Sequence, residues 1–277
     1  MCKCMKVSKN SFYHWVKNKE KPKIKESKMI LQKRILVLFN QNRQVYGSNR
    51  IQKALEKEGL YYSRSYIAVL MREMGLKSVL RRKYVITTNS NHSFALANNE
   101  LDRNFKSIKL GEKWVSDITY IRVADQWNYL TTIIDLADRK VVGWSLSKDM
   151  TTENTVMKAW LNARNNRNII NGHIFHSDRG VQYASNKITK LMYFNVKIKQ
   201  SMSRKGNCWD NAVAESFFKT IKHECLLRYK FKTYNELYQC VNEYIIWYNT
   251  KRMHSSLNYL TPLEKEIELR KIINKAA

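Results

Sequence analysis

Three strand-like segments stand close together in the middle of the chain, and their spacing constrains the fold more than any other feature of the sequence. Residues 115–123 are rich in β-branched and aromatic side chains, and residues 129–136 and 141–146 form two further apolar runs. The short breaks that separate these runs contain Asp125-Gln126 and Asp138-Arg139. Breaks of this length are typical of turns between neighbouring strands. We therefore expect three consecutive antiparallel strands.

Helices and strands alternate after these three segments. The pattern predicts a helix at about 152–164, a strand at 173–177, a helix at 185–194, a strand at 196–199 and a long helix at 209–227. The order βββαβαβα is that of an RNase H-like core. The expected fold class is therefore α/β, with a five-stranded mixed sheet, flanking helices and a small all-α helix-turn-helix module in front of it.

The first third of the chain is basic and has helical periodicity. Ser8 can cap a short first helix, and a lysine-rich linker is expected over residues 17–28. Of the three apolar helical patterns that follow, the first ends near Asn42, the second opens at Gly47-Ser48, and the third is capped by Ser63. Three short helices with a tight break before the last indicate a helix-turn-helix, which places its final helix in a DNA groove. The alternative is a helical hairpin with a solvated basic face.

The C-terminal part is predicted to be helical again. One helix is expected over residues 233–248, and Thr261-Pro262-Leu263-Glu264 has the pattern of a capping box with proline at the first helical position. These features divide the chain into five parts: a basic helix and linker (1–28), a helix-turn-helix module (29–86), a linker (87–106), an RNase H-like catalytic core (107–232) and a helical extension (233–277).

The charge of the chain points to a polyanionic partner. Lys and Arg number 50 against 23 Asp and Glu, for a net charge of +27, and nucleic acid is the first candidate for such a surface. No run of about 18 apolar residues that could span a membrane is present, and the basic N-terminus does not resemble a signal peptide. The five cysteines have neither a paired disulfide framework nor a zinc-binding spacing. We expect a cytoplasmic protein with reduced cysteines.

Three acidic residues fall at positions that an RNase H-like sheet would bring together. Asp117 lies in the first strand, Asp178 just beyond the fourth, and Glu215 on the following helix. Phosphoryl transfer on DNA without a covalent intermediate uses two divalent cations about 3.5–4 Å apart, and hard cations require oxygen ligands. The expected cofactor is two Mg²⁺ or Mn²⁺ ions per site.

Each acid also has a structural interpretation. Asp178 could simply form a turn, and Glu215 could make an exposed pair with Lys219 worth about 0.2–0.5 kcal/mol. Asp117 is harder to explain in this way, because an unpaired carboxylate inside a sheet would cost several kcal/mol. His173 and His176 are expected to be structural, since no cysteine set accompanies them.

Several longer stretches resemble a known family, the integrase-core transposases of two-frame bacterial insertion sequences. They cover essentially the whole chain: Val7-Ser8 through Trp15, 46–51, 114–121, 176–183, 201–211, Glu215-Ser216-Phe217-Phe218 and 248–257. The resemblance implies a retroviral-integrase-like core, with the catalytic triad on Asp117, Asp178 and Glu215. It also implies a DNA transposase in which a 3′-hydroxyl exposed at an element end attacks a phosphodiester in one step. Arg179 departs from the small set of residues usual after the second aspartate.

The resemblance also implies partners. These are double-stranded DNA, as terminal inverted repeats and target, further copies of the chain on that DNA, and an upstream-frame protein to which this downstream-frame chain is often fused. A nucleoid-associated bacterial protein is expected. DNA contacts are predicted for Arg50, Arg64, Arg72, Lys77, Arg81, Arg82, Lys83, Arg204, Lys205, Lys219, Lys222, Lys251 and Arg252.

Other residues near the triad have two interpretations. Asn211 is either a helix cap or a partner that supports the site, and Cys208 and Trp209 are expected to pack internally. Three other functions compete with the transposase: an RNase H-like nuclease that cuts without joining, an inactive DNA-binding regulator, and a retroviral-type integrase. The regulator would not need all three acids, and the zinc module of retroviral integrases is missing from residues 1–90.

Overall fold

The chain divides into two compact units, Met1–Val79 and Leu80–Ala277. The computed structural model describes residues 7–19, 22–79, 96–193 and 198–276. The predicted DNA contacts Arg81, Arg82 and Lys83 lie outside the described residues, as do part of the predicted 87–106 linker and the predicted helix end at Phe194.

The first unit is built from helices. They are α1 (Lys9–Lys19), α2 (Pro22–Gln41), α3 (Ser48–Lys57) and α4 (Arg64–Glu73). The caps lie where the sequence predicts them, because Ser8 Oγ accepts from Ser11 N–H at 3.0 Å and Ser63 Oγ accepts from Tyr66 N–H at 3.2 Å. The core of this unit is formed by buried apolar side chains, among them Ile35, Leu38, Phe39, Ile51, Leu55, Ile67 and Leu70.

The prediction of a linker over residues 17–28 is wrong for most of this range, which is helical. Helix α1 continues to Lys19, and α2 begins at Pro22. Proline suits the first position of a helix, and the Lys and Glu residues after it are good helix formers. The lysine-rich stretch is therefore helical on both sides of residues 20 and 21, which lie outside the described residues.

The second unit contains the predicted five-stranded mixed sheet. Its strands are β1 (Lys113–Val123), β2 (Gln126–Asp135), β3 (Val141–Ser147), β4 (His173–Ser177) and β5 (Ile198–Met202). They lie in the order β3-β2-β1-β4-β5. Strands β1, β2 and β3 are antiparallel neighbours, whereas β4 is parallel to both β1 and β5. The RNase H-like arrangement is confirmed, including the pairing of the first and fourth strands.

The helices of this unit flank the sheet. They are α5 (Lys158–Asn166), α6 (Val181–Ala184), α7 (Asn186–Tyr193), α8 (Ala212–Glu224), α9 (Tyr234–Thr250) and α10 (Pro262–Ala276). A π-helical turn (Glu153–Met157) precedes α5, and 3₁₀ turns lie at Cys208–Asn211, Leu226–Arg228 and Ser255–Leu257. The single helix predicted over 209–227 is thus divided, with an α-helical part only in its middle. The predicted capping box is confirmed, since Thr261 N–H donates to Glu264 Oε2 at 2.7 Å and Glu264 N–H donates to Thr261 Oγ1 at 3.1 Å.

Aromatic side chains fill the core between β1 and α5. Trp114 on β1 packs edge-to-face against Trp160 on α5, with ring centroids 5.5 Å apart, and Phe175 on β4 lies 5.1 Å from Trp160. Edge-to-face pairs at this spacing are favourable beyond the area they bury. This packing attaches α5 to the centre of the sheet.

Buried ion pairs attach the C-terminal helices to the sheet. Arg167 at the end of α5 contacts Asp135 Oδ2 at 2.8 Å, Asp138 Oδ2 at 2.7 Å and Glu266 Oε1 at 3.1 Å. Glu266 lies on α10, so the helical extension belongs to the same compact unit as the sheet. The Sγ atoms of Cys225 and Cys240, at the end of α8 and on α9, lie 2.7 Å apart. Within the part of the chain that the structure describes, no helix has the length and hydropathy needed to cross a membrane.

Candidate active site

Asp117 lies in the middle of β1. It is half-buried, and its Oδ1 accepts a hydrogen bond from Ile118 N–H at 2.8 Å. The strand pairs with β2 on one side and with β4 on the other. Asp117 itself lies opposite Thr132 of β2, whereas the pairing with β4 ends at Val115, so the sheet fixes its backbone from the β2 side.

Asp178 directly follows β4. Because Val115 lies beside His176 in the parallel pairing of β1 and β4, Asp117 and Asp178 each lie two residues further toward the same end of the sheet. Asp178 Oδ1 accepts from Gly180 N–H at 2.9 Å. Asp178 thus forms a turn through one carboxylate oxygen. A turn-forming role is one of the two interpretations given for this residue from the sequence.

Glu215 lies in the first turn of α8, which packs on β1. The buried side of this helix is apolar and includes Ala214, Phe217, Phe218 and Ile221. Just before the helix, Asn211 Nδ2 donates to the backbone oxygen of Ser116 at 3.0 Å. The start of α8 is thereby attached to β1 next to Asp117.

Electrostatics link the three acids. Burial raises the pKa of Asp117 well above its usual range, and repulsion from Asp178 and Glu215 raises it further. Burial and repulsion from Asp178 also raise the pKa of Glu215. Burial lowers the pKa of Lys222, one of the charges near Asp117, while attraction to Asp117 opposes this effect. Asp117 therefore interacts electrostatically with Asp178, Glu215 and Lys222.

The side chains of the three carboxylates are not arranged as a set of metal ligands. Among the described residues, no group of three or more His, Cys, Asp or Glu side chains is arranged to hold a metal ion as it stands. Two of the acids use an oxygen in local backbone hydrogen bonds.

The loop before α8 is held by a buried carboxylate. Asp210 accepts from Arg204 Nε at 2.9 Å, from Arg103 Nε at 2.8 Å and from Asn99 Nδ2 at 3.0 Å. Hydrogen bonds from Arg204 hold the pKa of Asp210 well below its usual range. Arg204, predicted as a DNA contact, is thus also a structural residue of this loop.

Trp209 lies beside this carboxylate but faces solvent. Its side chain is 70% exposed, so the prediction that it packs internally is wrong. The predicted packing of Cys208 lies outside the described side chains. Local sequence could not separate the two orientations, because the partners that hold the neighbouring Asp210 in its buried position include Asn99 and Arg103, more than 100 residues away in the chain.

The two histidines of β4 are structural, as predicted. His173 is buried and its Nδ1 lies 2.8 Å from the backbone oxygen of Gly111. His176 is also buried, with Nδ1 2.8 Å from Ser201 Oγ and Nε2 3.2 Å from Ser203 Oγ. These bonds connect β4 to its neighbours. Burial lowers the pKa of each imidazole to about 4.

Three family matches cover most of the chain. Residues 109–208 and 196–262 each match an integrase core domain, and residues 26–84 match an HTH-like domain. The chain is 36% identical over 263 residues to the insertion element IS600 uncharacterized 31 kDa protein of Shigella sonnei, covering 95% of this chain and 96% of the relative. It is 34% identical over 264 residues to the putative transposase InsK for insertion sequence element IS150 of Escherichia coli, covering 95% and 91%.

The chain belongs to the integrase-core transposases of bacterial insertion sequences. It is a transposase with an integrase-like core, an enzyme of the polynucleotidyl transferase kind, and its N-terminal helices form an HTH-like region. Among solved structures, the catalytic core domain of HTLV-2 integrase in complex with magnesium aligns with 56% of this chain and 94% of its own length, at a TM-score of 0.43 and 20% identity.

Most predicted DNA contacts of the transposase lie on its surface. In the first unit, Arg64, Arg72 and Lys77 are exposed on α4 and just after it, whereas Arg50 is half-buried over the ring of Tyr46. In the second unit, Arg204, Lys205, Lys219 and Lys251 are exposed and Lys222 is half-buried.

Arg252 is an exception, and its placement contradicts the predicted DNA contact. Its side chain is buried, with only 6% of the residue exposed. Nε and Nη2 each donate to Glu224 at 2.8 Å. A guanidinium whose donors are used in this way holds the end of α8 against the segment after α9, and its charge is compensated inside the transposase.

Proposed function

We propose that this transposase cuts DNA at the ends of its element and joins the exposed 3′-hydroxyl to target DNA, with Asp117, Asp178 and Glu215 as its catalytic carboxylates. The observation that carries the proposal is the shared electrostatics of these three acids. They come from a strand, a turn and a helix, yet repulsion among them raises the pKa of Asp117 and of Glu215. Like charges placed together in a protein are costly unless a cation compensates them.

The donor set fits Mg²⁺ or Mn²⁺. Asp117, Asp178 and Glu215 offer only oxygen ligands, the type that hard divalent cations prefer. The buried Asn211 Oδ1 has no hydrogen-bond partner among the described residues, so it can accept from a water molecule at this site. When bound, two such ions supply the charge that activates an attacking oxygen and stabilises the leaving oxygen.

The proposed reaction has two chemical steps, cleavage and joining. In the first, water attacks a phosphodiester at the element end, the bond from phosphorus to the 3′-oxygen breaks, and a free 3′-hydroxyl remains. In the second, this 3′-hydroxyl attacks a target phosphodiester, so that one phosphorus–oxygen bond forms as another breaks. The role of the protein is to position the phosphates and the carboxylates, and Lys222 beside Asp117 offsets part of the local negative charge.

Double-stranded DNA is the proposed partner of both units. The exposed cations Arg64, Arg72 and Lys77 would contact the element ends, and Lys205, Lys219 and Lys251 would contact phosphates around the acids. One triad holds one scissile phosphate, and transposition brings two ends together. At least two copies of the chain are therefore proposed on the DNA, with or without the product of an upstream frame.

The test is a gel assay of cutting and joining on labelled element ends with Mg²⁺ or Mn²⁺. Asp117→Asn, Asp178→Asn and Glu215→Gln should each abolish both steps while DNA binding is kept, because each removes a ligand and leaves the basic surface intact. Asp125→Asn is the matched control, since its carboxylate is almost fully exposed on the β1–β2 turn, and it should act like wild type. Strand transfer by any triad variant would overturn the assignment, and a wild-type protein that cuts without joining would be a nuclease.

The number of copies is tested by mixing two defective proteins. Asp117→Asn lacks a ligand, and an Arg64→Ala, Arg72→Ala double variant lacks the proposed end contacts. Each supplies what the other lacks, so the mixture should regain some joining. A mixture that stays inactive, together with a monomeric DNA complex in sedimentation, would argue against the two-copy arrangement.

A further inference from the structure

Asn211 occupies the position directly before α8, where an asparagine side chain usually caps the helix. Here the side chain makes no cap hydrogen bond. Instead Nδ2 donates to the backbone oxygen of Ser116 at 3.0 Å, and the residue is only 3% exposed. A carbonyl oxygen can only accept, so the amide nitrogen must face Ser116. The side chain therefore bonds to the sheet instead of capping the helix.

This bond joins two segments that carry predicted catalytic acids. Ser116 directly precedes Asp117, and Asn211 lies one helical turn before Glu215. The hydroxyl of the same serine forms a second connection, with Ser116 Oγ 2.7 Å from the Tyr183 hydroxyl. Tyr183 belongs to α6, which begins right after the Asp178 turn. Ser116 is therefore contacted by the segments that follow Asp178 and precede Glu215.

The other polar atom of the Asn211 amide, Oδ1, is buried and has no hydrogen-bond partner among the described residues. A buried acceptor without a partner is costly, and such a group is explained by a bound water, an ion or a function. The amide thus presents a free acceptor at the point where β1 and α8 meet.

We propose that Asn211 is a positioning residue, which holds Glu215 in place relative to Asp117 so that the two carboxylates can bind the same metal site. This inference rests on the proposed function. Mutual repulsion drives the acids apart, and the Asn211–Ser116 bond opposes the separation. Oδ1 accepts a hydrogen bond from water held at the site. Outer partners of this kind contribute about 10–100-fold to metal affinity.

The test measures Mn²⁺ affinity directly, by calorimetric titration of the full-length chain without DNA. Asn211→Ala should weaken Mn²⁺ binding about 10–100-fold and raise the Mn²⁺ concentration for half-maximal joining by a similar factor. Asn211→Ser is the more informative variant, because serine is a preferred cap and keeps the helix start stable, yet its short side chain cannot reach Ser116. It should show the same loss of metal affinity.

A matched control separates positioning from stability. Asn166 Nδ2 also donates to a strand carbonyl, that of Val142 at 2.9 Å, at the end of α5. Asn166→Ala removes the same kind of bond and should lower the melting temperature without changing Mn²⁺ affinity. Tyr183→Phe removes only the second contact with Ser116 and should weaken Mn²⁺ binding less than Asn211→Ala does.

The outcomes distinguish the two proposals. If Asn211→Ser binds Mn²⁺ as tightly as wild type while Asp117→Asn does not, the positioning role is wrong and the triad stands. The role is also wrong if Asn166→Ala loses affinity to the same extent, because the effect is then one of general stability. If Asp117→Asn itself binds Mn²⁺ like wild type, the metal assignment of the proposed function fails first.

Discussion

The buried side chain of Arg252 shows how one residue's role depends on partners far away in the chain. Glu224 lies at the end of α8 and accepts two hydrogen bonds from Arg252 and one from the hydroxyl of Tyr244, each at 2.8 Å. A buried ion pair adds little net stability over an apolar pair, but loss of one partner leaves the other charge uncompensated. The cost of breaking this pair is therefore larger than its net contribution.

Arg252→Ala should lower the free energy of unfolding by about 3–5 kcal/mol, because it leaves Glu224 buried without its cation. Urea denaturation measures this difference. Lys251→Ala, one residue earlier and exposed, should change stability by less than about 0.5 kcal/mol. An Arg252→Ala protein with wild-type stability but weaker DNA binding would contradict this prediction and support the DNA contact that the sequence predicts.

His173 makes stability depend on pH. The unfolded imidazole titrates near 6.5, whereas burial lowers the pKa of the folded group to about 4. The unfolded chain therefore takes up a proton first as pH falls, so this contribution is complete above about pH 6.5 and is lost between pH 6.5 and 4. The loss is about 3 kcal/mol. His173→Asn keeps an N–H donor for Gly111 but does not titrate, so its unfolding free energy should fall less steeply over this range. Equal slopes for the two proteins in urea titrations at each pH would contradict the prediction.

At the scale of elements, the close approach of β3 and α5 determines how the sheet and its helices pack. Gly143 lies where the strand meets the helix. A Cβ atom at this position would clash with the backbone oxygen of Ala159 and lie 2.6 Å from Ala163 Cβ. Only a glycine allows the two elements to come this close, which in turn lets Trp160 reach the core.

Gly143→Ala should destabilise the protein by about 1–3 kcal/mol, because the added methyl group forces β3 and α5 apart. Thermal unfolding measures the change. Gly47→Ser is the matched control, since a Cβ there meets nothing within 4 Å and serine is preferred at a helix cap. The idea would be refuted if both variants unfolded at the wild-type temperature.

At the scale of the whole molecule, basic charge is distributed over both units. In the first unit Arg34 is paired with Glu58, with Nε 2.7 Å from Oε2, whereas Arg64 and Arg72 extend from α4 into solvent. When exposed cations such as Arg64 and Arg72 contact phosphates, counterions are released from the DNA, which makes binding dependent on salt. Exposed cations on α4 are therefore the ones expected to affect DNA affinity.

The Arg64→Ala, Arg72→Ala double variant should weaken binding to element-end DNA and reduce the slope of log affinity against log salt by about 2, or roughly 0.9 for each lost phosphate contact. Fluorescence anisotropy at several salt concentrations measures the slope. Arg34→Ala, which removes a cation already paired with Glu58, should leave the slope nearly unchanged. An unaltered slope in the double variant would remove α4 from the DNA-binding surface.

The sequence by itself determined the features that depend on local pattern. Runs of apolar and β-branched residues indicated the five strands, although the fifth ends at Met202 rather than at residue 199, and period-3.6 apolar spacing indicated most helices. Ser63 and Thr261 marked helix starts, because a cap bonds to backbone only a few residues away. The order of these elements was enough to predict the sheet, and with it the proximity of Asp117 and Asp178. Tertiary structure decided which of two neighbouring cations is buried, as Lys251 and Arg252 show, and whether Asn211 caps a helix or reaches Ser116. Their partners lie 28 and 95 residues away, and no local spacing encodes a contact made only when distant segments pack together.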